Sequence, residues 1–395
     1  MMKKIVLAFL YSLPFIDLLT SMATWESKSS MGLILKGIFL LLSSLYVLYK
    51  NRNKKSYWII YGLFVFYLLI YDIYYKEFIK VELVNLIKIF YLPFLILFFS
   101  QYKDKVLSKK LFFYYAICFL LMYLIPYPLG LGHNINEIYE NKNLYLSYFY
   151  VGNELVNIFL LLIPIGFLYL KDKKKIYLVS YSILTFLMML LLGTKTMYLS
   201  FILILGYFLF KKREKIKKYL VIVFLFFFFV AILLPHSTFY KNIKTSLDYY
   251  HIKNVSDLFT FQNIDNVIYS NRLTFVLELH KNYQKEDISG KILGMGRQKI
   301  MSIKDAEIDI FDIFYSIGWL GFGVYLIIFL FAMSKVKLKG IYAYLFYLLL
   351  VISFFSGHVL ISPMTSSYLA VLTGINYNEG KKENERLDKK ATSSY

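Results

Sequence analysis

The chain is a succession of apolar runs separated by short polar stretches, most of them rich in lysine. Residues 219–235, YLVIVFLFFFFVAILLP, have no polar face and could not lie on the surface of a soluble protein. Roughly 20 apolar residues carry a helix across a bilayer. On that measure the runs predict twelve spans, at about 4–23, 32–49, 57–75, 83–100, 111–130, 149–170, 176–193, 196–211, 219–235, 309–333, 341–357 and 359–375. The expected fold is all-α and polytopic. One connection is out of scale, residues 236–305, and loops beyond about 15 residues are usually functional or disordered. Within it NRLTFVLELHKNYQ (271–284) reads as an amphipathic helix with Leu273, Val276, Leu277 and His280 on one side. Ser270 and Asn271 can cap its start, and GKILGMG (290–296) reads as a tight turn. The predicted organisation is therefore helices one to nine in 1–235, a large extracytoplasmic loop with short helices in 236–305, helices ten to twelve in 306–376, and a basic tail in 377–395.

Charge refines this picture. A net charge of +20 in a soluble chain would suggest a nucleic-acid partner. With a mean hydropathy of +0.56 it instead reports topology, because Lys and Arg gather on the cytoplasmic side. NRNKK, KDKVLSKK, KDKKK, KKREKIKK, SKVKLKG and the tail KKENERLDKK fall on one set of alternate connections. Both termini are then cytoplasmic, the 236–305 loop lies outside, and the expected partners are membrane lipids rather than nucleic acid. The N-terminus reads as an uncleaved first span, since no small-residue cleavage site follows it. The single cysteine, Cys118, excludes a disulfide framework.

The candidate chemistry lies in the connections expected outside. The chain has five arginines against forty lysines, and two of the five, Arg272 and Arg297, fall in the large loop. A guanidinium fork grips a phosphate with two parallel hydrogen bonds, which Lys does not do. Surface arginines snorkelling at the headgroups are the structural alternative. All five histidines, His133, His236, His251, His280 and His358, also fall outside, but no pair has metal-ligand spacing, so no metal is expected. His358 in FFSGHVLISP is the best placed to move a proton. Lys195 occupies a short turn in LLLGTKTMYLS, Asn153 and Glu154 open span six, and Asp17 sits near the far end of span one. Polar groups at membrane depth lean towards function, although each is as readily a packing hydrogen bond. The stretch AEIDIFDIF places Asp305, Glu307, Asp309 and Asp312 at the mouth of span ten. Helix capping accounts for the first two acids. Asp309 and Asp312 fall further in, so at least one carboxylate should point inward.

Several of these pieces, in order, resemble the O-antigen ligase and polymerase family in its form from Gram-positive surface-polysaccharide clusters. They are LPFIDLLTS, GNELVNIFLLLIPIGFLYL, LLLGTKTMYLSFILIL, SNRLTFVLELHKNYQKEDISGKILGMG, EIDIFDIFYSIGWLGF and SGHVLISP. The resemblance implies a metal-independent, membrane-embedded glycosyltransferase of the C superfamily, without cofactor. It would take an oligosaccharide from undecaprenyl diphosphate on the outer face of the cytoplasmic membrane and pass it to an acceptor glycan. Arg272 falls on the family's loop arginine, with Arg297 and Lys195 as further diphosphate ligands. Lys195 stands where many members have Arg, and Glu307-x-Asp309 stands where ligases have His-Asn. Glu307, Asp309 and His358 are the candidate catalytic groups beside Arg272, with His280, Asn153, Glu154 and Asp17 secondary. A polymerase would extend lipid-linked repeat units alongside a flippase and a chain-length regulator. A ligase would pass the glycan to a wall or other acceptor. A lipid-linked oligosaccharide flippase is the reading from another class; it would carry charges deep in several spans and only short loops.

Overall fold

The structure, a computed structural model, describes residues 2–26, 31–76, 79–102, 104–134, 145–171, 173–194, 196–198, 201–204, 265, 269–336, 338–355 and 357–375. Lys195, His236, His251, the expected span at 219–235 and the tail lie outside them. The helices are α1 (Met2–Trp25), α2 (Met31–Lys50), α3 (Lys55–Tyr74), α4 (Ile79–Phe99), α5 (Lys109–Leu124), α6 (Gly152–Leu170), α7 (Lys175–Leu192), α8 (Arg272–Gln284), α9 (Ile288–Leu293), α10 (Arg297–Ile303), α11 (Asp309–Met333) and α12 (Gly340–Ile352). Residues 363–375 are helical as well. Two short antiparallel strands, β1 (His133–Asn134) and β2 (Tyr145–Ser147), form the one sheet among the described residues.

Among the described residues, eight helical stretches are long and apolar enough to cross a membrane: α1 to α7 and α11. The chain is an all-α multi-pass membrane protein. The last two expected spans come out shorter than their apolar runs. α12 has 13 residues, about 20 Å at 1.5 Å per residue, against roughly 30 Å of bilayer core. It ends at Ile352, the backbone turns left-handed at Gly357 and His358, and helix resumes only at 363.

Two compact units make up the chain: Met1–Leu13, Ser30–Leu111 and Asn271–Tyr395 form one, and Pro14–Ser29 with Phe112–Ser270 the other. The most buried long helix of each unit is α4 in the first and α6 in the second, with 67% and 72% of the apolar stretch inside. The second half of α4, residues 89–99, has no outward stripe and belongs inside. α2 and α3 show the opposite pattern. α2 buries one stripe, Gly32, Lys36, Phe39, Ser43 and Val47, at helical spacing, and leaves Ile34, Leu41 and Leu45 outward. In the second unit Gly166 leaves room for Tyr181 of α7, whose hydroxyl donates to the Ile163 carbonyl at 3.4 Å. Apolar surface gains little from burial when lipid is the alternative, so close packing and hydrogen bonds of this kind hold the helices together.

α11 is broken in the middle. Gly318 has φ 64° and ψ −171°, which interrupts the helical ladder and leaves carbonyls on its N-terminal side without partners. An unsatisfied carbonyl at membrane depth costs several kcal/mol, and each finds a donor. The carbonyl of Tyr315 accepts from the Met295 N–H at 2.8 Å and that of Ser316 from the Gly296 N–H at 3.2 Å. The hydroxyl of Tyr67 donates to Ile317 at 3.0 Å. Gly294 and Gly318 are in backbone contact here, and a Cβ on Gly318 would lie 2.3 Å from the Gly294 nitrogen. GKILGMG is thus not one tight turn. It is the short helix α9 followed by an extended Gly-Met-Gly segment docked against the kink of α11.

Candidate functional site

The helices α8, α9 and α10 fold onto the N-terminal half of α11. Leu279 and Tyr283 of α8 pack with Met295, Ile300, Ala306 and Tyr315 in one buried cluster, with Val276 against its edge. The buried stripe of α8 is Arg272, Val276, Leu279 and Tyr283, rather than Leu273, Val276, Leu277 and His280. Leu277 is exposed. The stripe begins at Arg272 because that side chain turns inward to find a carboxylate. Asn271 does precede the helix, but in the left-handed region (φ 67°) and without capping through its side chain.

Arg272 is the centre of the arrangement. Its Nε and one terminal nitrogen donate to Glu307 Oε2 at 3.3 and 2.9 Å, and the other terminal nitrogen donates to the Phe355 carbonyl at 2.8 Å. The Arg272 side chain is 11% exposed and that of Glu307 30%. The backbone around the pair is strained. Five non-glycine residues with positive φ occur among the described residues, and four of them are Ser270, Asn271, Glu307 and His358. Two immediately precede Arg272, one is its partner, and one lies three residues beyond the carbonyl it holds. Left-handed non-glycine backbone costs about 1–3 kcal/mol per residue and clusters at functional sites.

Asp309 lies two residues beyond Glu307 and is fully buried. It does not cap α11. One of its carboxylate oxygens accepts from the His358 N–H at 2.6 Å, and the other accepts from Val359 and Leu360, both at 2.7 Å. Successive N–H groups after left-handed residues form such a concave anion nest. Gly357 is the residue that allows it. Its φ is 58°, and a Cβ there would lie 2.4 Å from the Glu307 carbonyl oxygen. Asp312 accepts from the Ala306 N–H at 2.9 Å, and Ser316 Oγ accepts from Asn85 at 2.6 Å.

The second loop arginine belongs to a different ion pair. Arg297 donates to Asp305 through both terminal nitrogens. Burial pulls the Arg297 pKa down, but the Asp305 carboxylate more than offsets this and leaves it raised. The backbone beneath it rests on Glu82 of α4, whose oxygens accept from the Arg297 and Gln298 N–H groups at 2.8 and 2.9 Å and from the Tyr71 hydroxyl at 2.7 Å. Tyr75 adds a bond to the Gly294 carbonyl. Glu82 was not among the residues singled out from the sequence. A single acid at the head of the apolar run VELVNLIKIFYL looks like helix-end charge, and only its burial gives it away.

Of the remaining candidates, His280 is exposed and interacts with the Tyr315 hydroxyl and Gln284. Asp17 is buried in the second unit, where Asn153 and Glu154 open α6. The first unit therefore gathers Arg272, Glu307, Asp309 and the backbone of His358, with Arg297 held nearby in the chain by Asp305 and Glu82. No group of three His, Cys, Asp or Glu side chains suited to a metal ion occurs among the described residues. What the arrangement offers is a buried guanidinium whose fork is held by one half-exposed carboxylate. Such a fork suits a phosphate group as well as a carboxylate.

The family model described as O-antigen ligase like membrane protein matches residues 1–258 and 258–377. Comparison with curated proteins and with solved structures finds no match.

Proposed function

The chain belongs to the O-antigen ligase-like membrane proteins, and from that premise we propose that it polymerises undecaprenyl-diphosphate-linked oligosaccharide repeat units in surface polysaccharide biosynthesis. In this reading both termini are cytoplasmic, 1–235 and 306–376 are the membrane portions, and 236–305 lies on the outer face of the cytoplasmic membrane. A flippase delivers the repeat units and a chain-length regulator works beside the enzyme. The single observation that carries the reading is Arg272. Its guanidinium is largely buried, directed by three hydrogen bonds and ringed by left-handed backbone.

The chemistry asks little more. The acceptor hydroxyl oxygen attacks the anomeric carbon of the donor sugar, and the bond from that carbon to the diphosphate oxygen breaks. The electron pair leaves on the diphosphate, where a fixed cation stabilises it, and the hydroxyl proton passes to a base. The products are the lengthened glycan on its own lipid and free undecaprenyl diphosphate. No step needs a metal, so transfer persists in a chelator. The test is reconstitution of the full chain with a defined undecaprenyl-diphosphate repeat unit. A ladder of chain lengths is the expected result. One transfer to a non-lipid acceptor would instead make the protein a ligase, and lipid movement across the bilayer without transfer would make it a flippase.

A further inference from the structure

Resting on the donor site just proposed, we infer that Glu307 is the base that takes the acceptor proton, and that the donor diphosphate frees it by displacing it from Arg272. The other acids nearby are committed. Asp309 is fully buried with three backbone N–H groups on its oxygens. Asp312 is buried and holds the Ala306 N–H. Asp305 is clasped by both terminal nitrogens of Arg297, and Glu82 carries two backbone N–H groups and a tyrosine hydroxyl. Glu307 differs. Arg272 uses only its Oε2, Oε1 accepts no hydrogen bond among the described residues, and its side chain is 30% exposed. Asp305 is as exposed, but both its oxygens are taken by Arg297, so Glu307 is the exposed carboxylate that still has an oxygen to offer a hydroxyl. While the site is empty the contact with Arg272 pins this carboxylate to the guanidinium through Oε2.

A diphosphate carries more charge than one carboxylate and suits the same fork. Its arrival turns the Nε edge of Arg272 from Glu307 to phosphate, while the Phe355 carbonyl keeps the remaining nitrogen in place. The released carboxylate then accepts the proton of the acceptor hydroxyl as the new bond forms to the anomeric carbon. The bond from that carbon to the diphosphate breaks with its electron pair leaving on oxygen, and the proton later passes from Glu307 to water. Donor binding and acceptor activation are thereby coupled through one ion pair.

Purified full-length protein in nanodiscs tests this, with undecaprenyl diphosphate as binding probe and the lipid-linked repeat unit as substrate. Glu307→Gln is expected to bind the probe at least as tightly as wild type, because its competitor is neutral. It is expected to transfer about 10²–10⁴-fold more slowly, the usual contribution of a general base. Formate is expected to restore transfer to Glu307→Ala, which a purely structural role would not allow. Wild-type transfer by Glu307→Gln, weaker probe binding, or no response of Glu307→Ala to formate overturns the inference and passes the role to His358. A different result removes the donor site beneath it: probe binding unchanged in Arg272→Gln. If Glu307→Gln is not recovered folded, Glu307→Asp takes its place. Slower transfer with probe binding retained then supports the inference, and a wild-type rate overturns it.

Discussion

Asp309→Asn exchanges a carboxylate for an amide of the same shape, at a position where the shape is already saturated by donors. Three N–H groups converge on Asp309, one on Oδ1 and two on Oδ2. The best the amide can do is keep its oxygen towards Val359 and Leu360 and turn its NH2 towards the His358 N–H, donor against donor. One hydrogen bond to a charged group, worth about 1.5–3 kcal/mol, is lost, and two more fall to the neutral value of about 0.5–1.5 kcal/mol. Relief from burying a charge offsets part of this, so the net loss is expected at about 2–4 kcal/mol. The assay is a pair of measurements on purified variants, detergent melting and transfer rate. Asp309→Asn is expected to melt lower and to lose transfer together with the position of His358. Asp312→Asn, which gives up a single bond to Ala306 that an amide oxygen can still accept, is expected to stay near wild type in both. An Asp309→Asn protein that melts with wild type yet transfers nothing would refute the reasoning, since it would make Asp309 a chemical participant rather than the clamp on 357–360.

Arg272→Lys keeps the charge but loses the fork, and transfer is expected to fall about 10²–10³-fold, the usual cost of one lost transition-state donor. Wild-type rates at matched protein level would take Arg272 out of the donor site. Glu82→Gln sets an amide against the Gln298 N–H and is expected to cost about 1–3 kcal/mol, read as a lower melting temperature and easier proteolysis within 288–303. Cysteine at Ser289, introduced with Cys118→Ser, is expected to react with an impermeant thiol reagent in intact cells, and cysteine at Ser393 is not. The reverse pattern would overturn the proposed orientation of the loop.

Much of the fold is visible as hydrophobic length. The run expected at 309–333 is α11 to the residue, and 57–75 differs from Lys55–Tyr74 only at its ends. The misses come where one segment is shaped by another. Beyond the end of α12 the left-handed Gly357 packs against the carbonyl of Glu307, and nothing in FFSGHVLISP announces that neighbour. α8 buries Leu279 rather than Leu277 because its orientation is set by Arg272 reaching Glu307, 35 positions along the chain. The residue types at the site were legible, since an arginine in a lysine-rich chain and acids at a span mouth stand out without coordinates. Their pairing was not. Asp309 and Glu307 look alike in the sequence, and only the backbone of 358–360 makes one a saturated clamp and the other a half-open carboxylate.

The broken helix has a consequence for how the protein is made. Synthesis runs from the N-terminus, and the donors that complete the kink at Gly318, namely Tyr67, Met295 and Gly296, all precede it. When Gly318 leaves the ribosome, every partner its exposed carbonyls need already exists, so α11 can take up its bend on arrival. Asp309 faces the opposite schedule. Its three donors lie 49 to 51 residues downstream, and its charge enters the growing protein with nothing to hold it until residue 360 has emerged. The neighbourhood of Arg272 and Glu307 therefore closes well after the kink does, and a chain released before residue 358 has the broken helix but not the clamp.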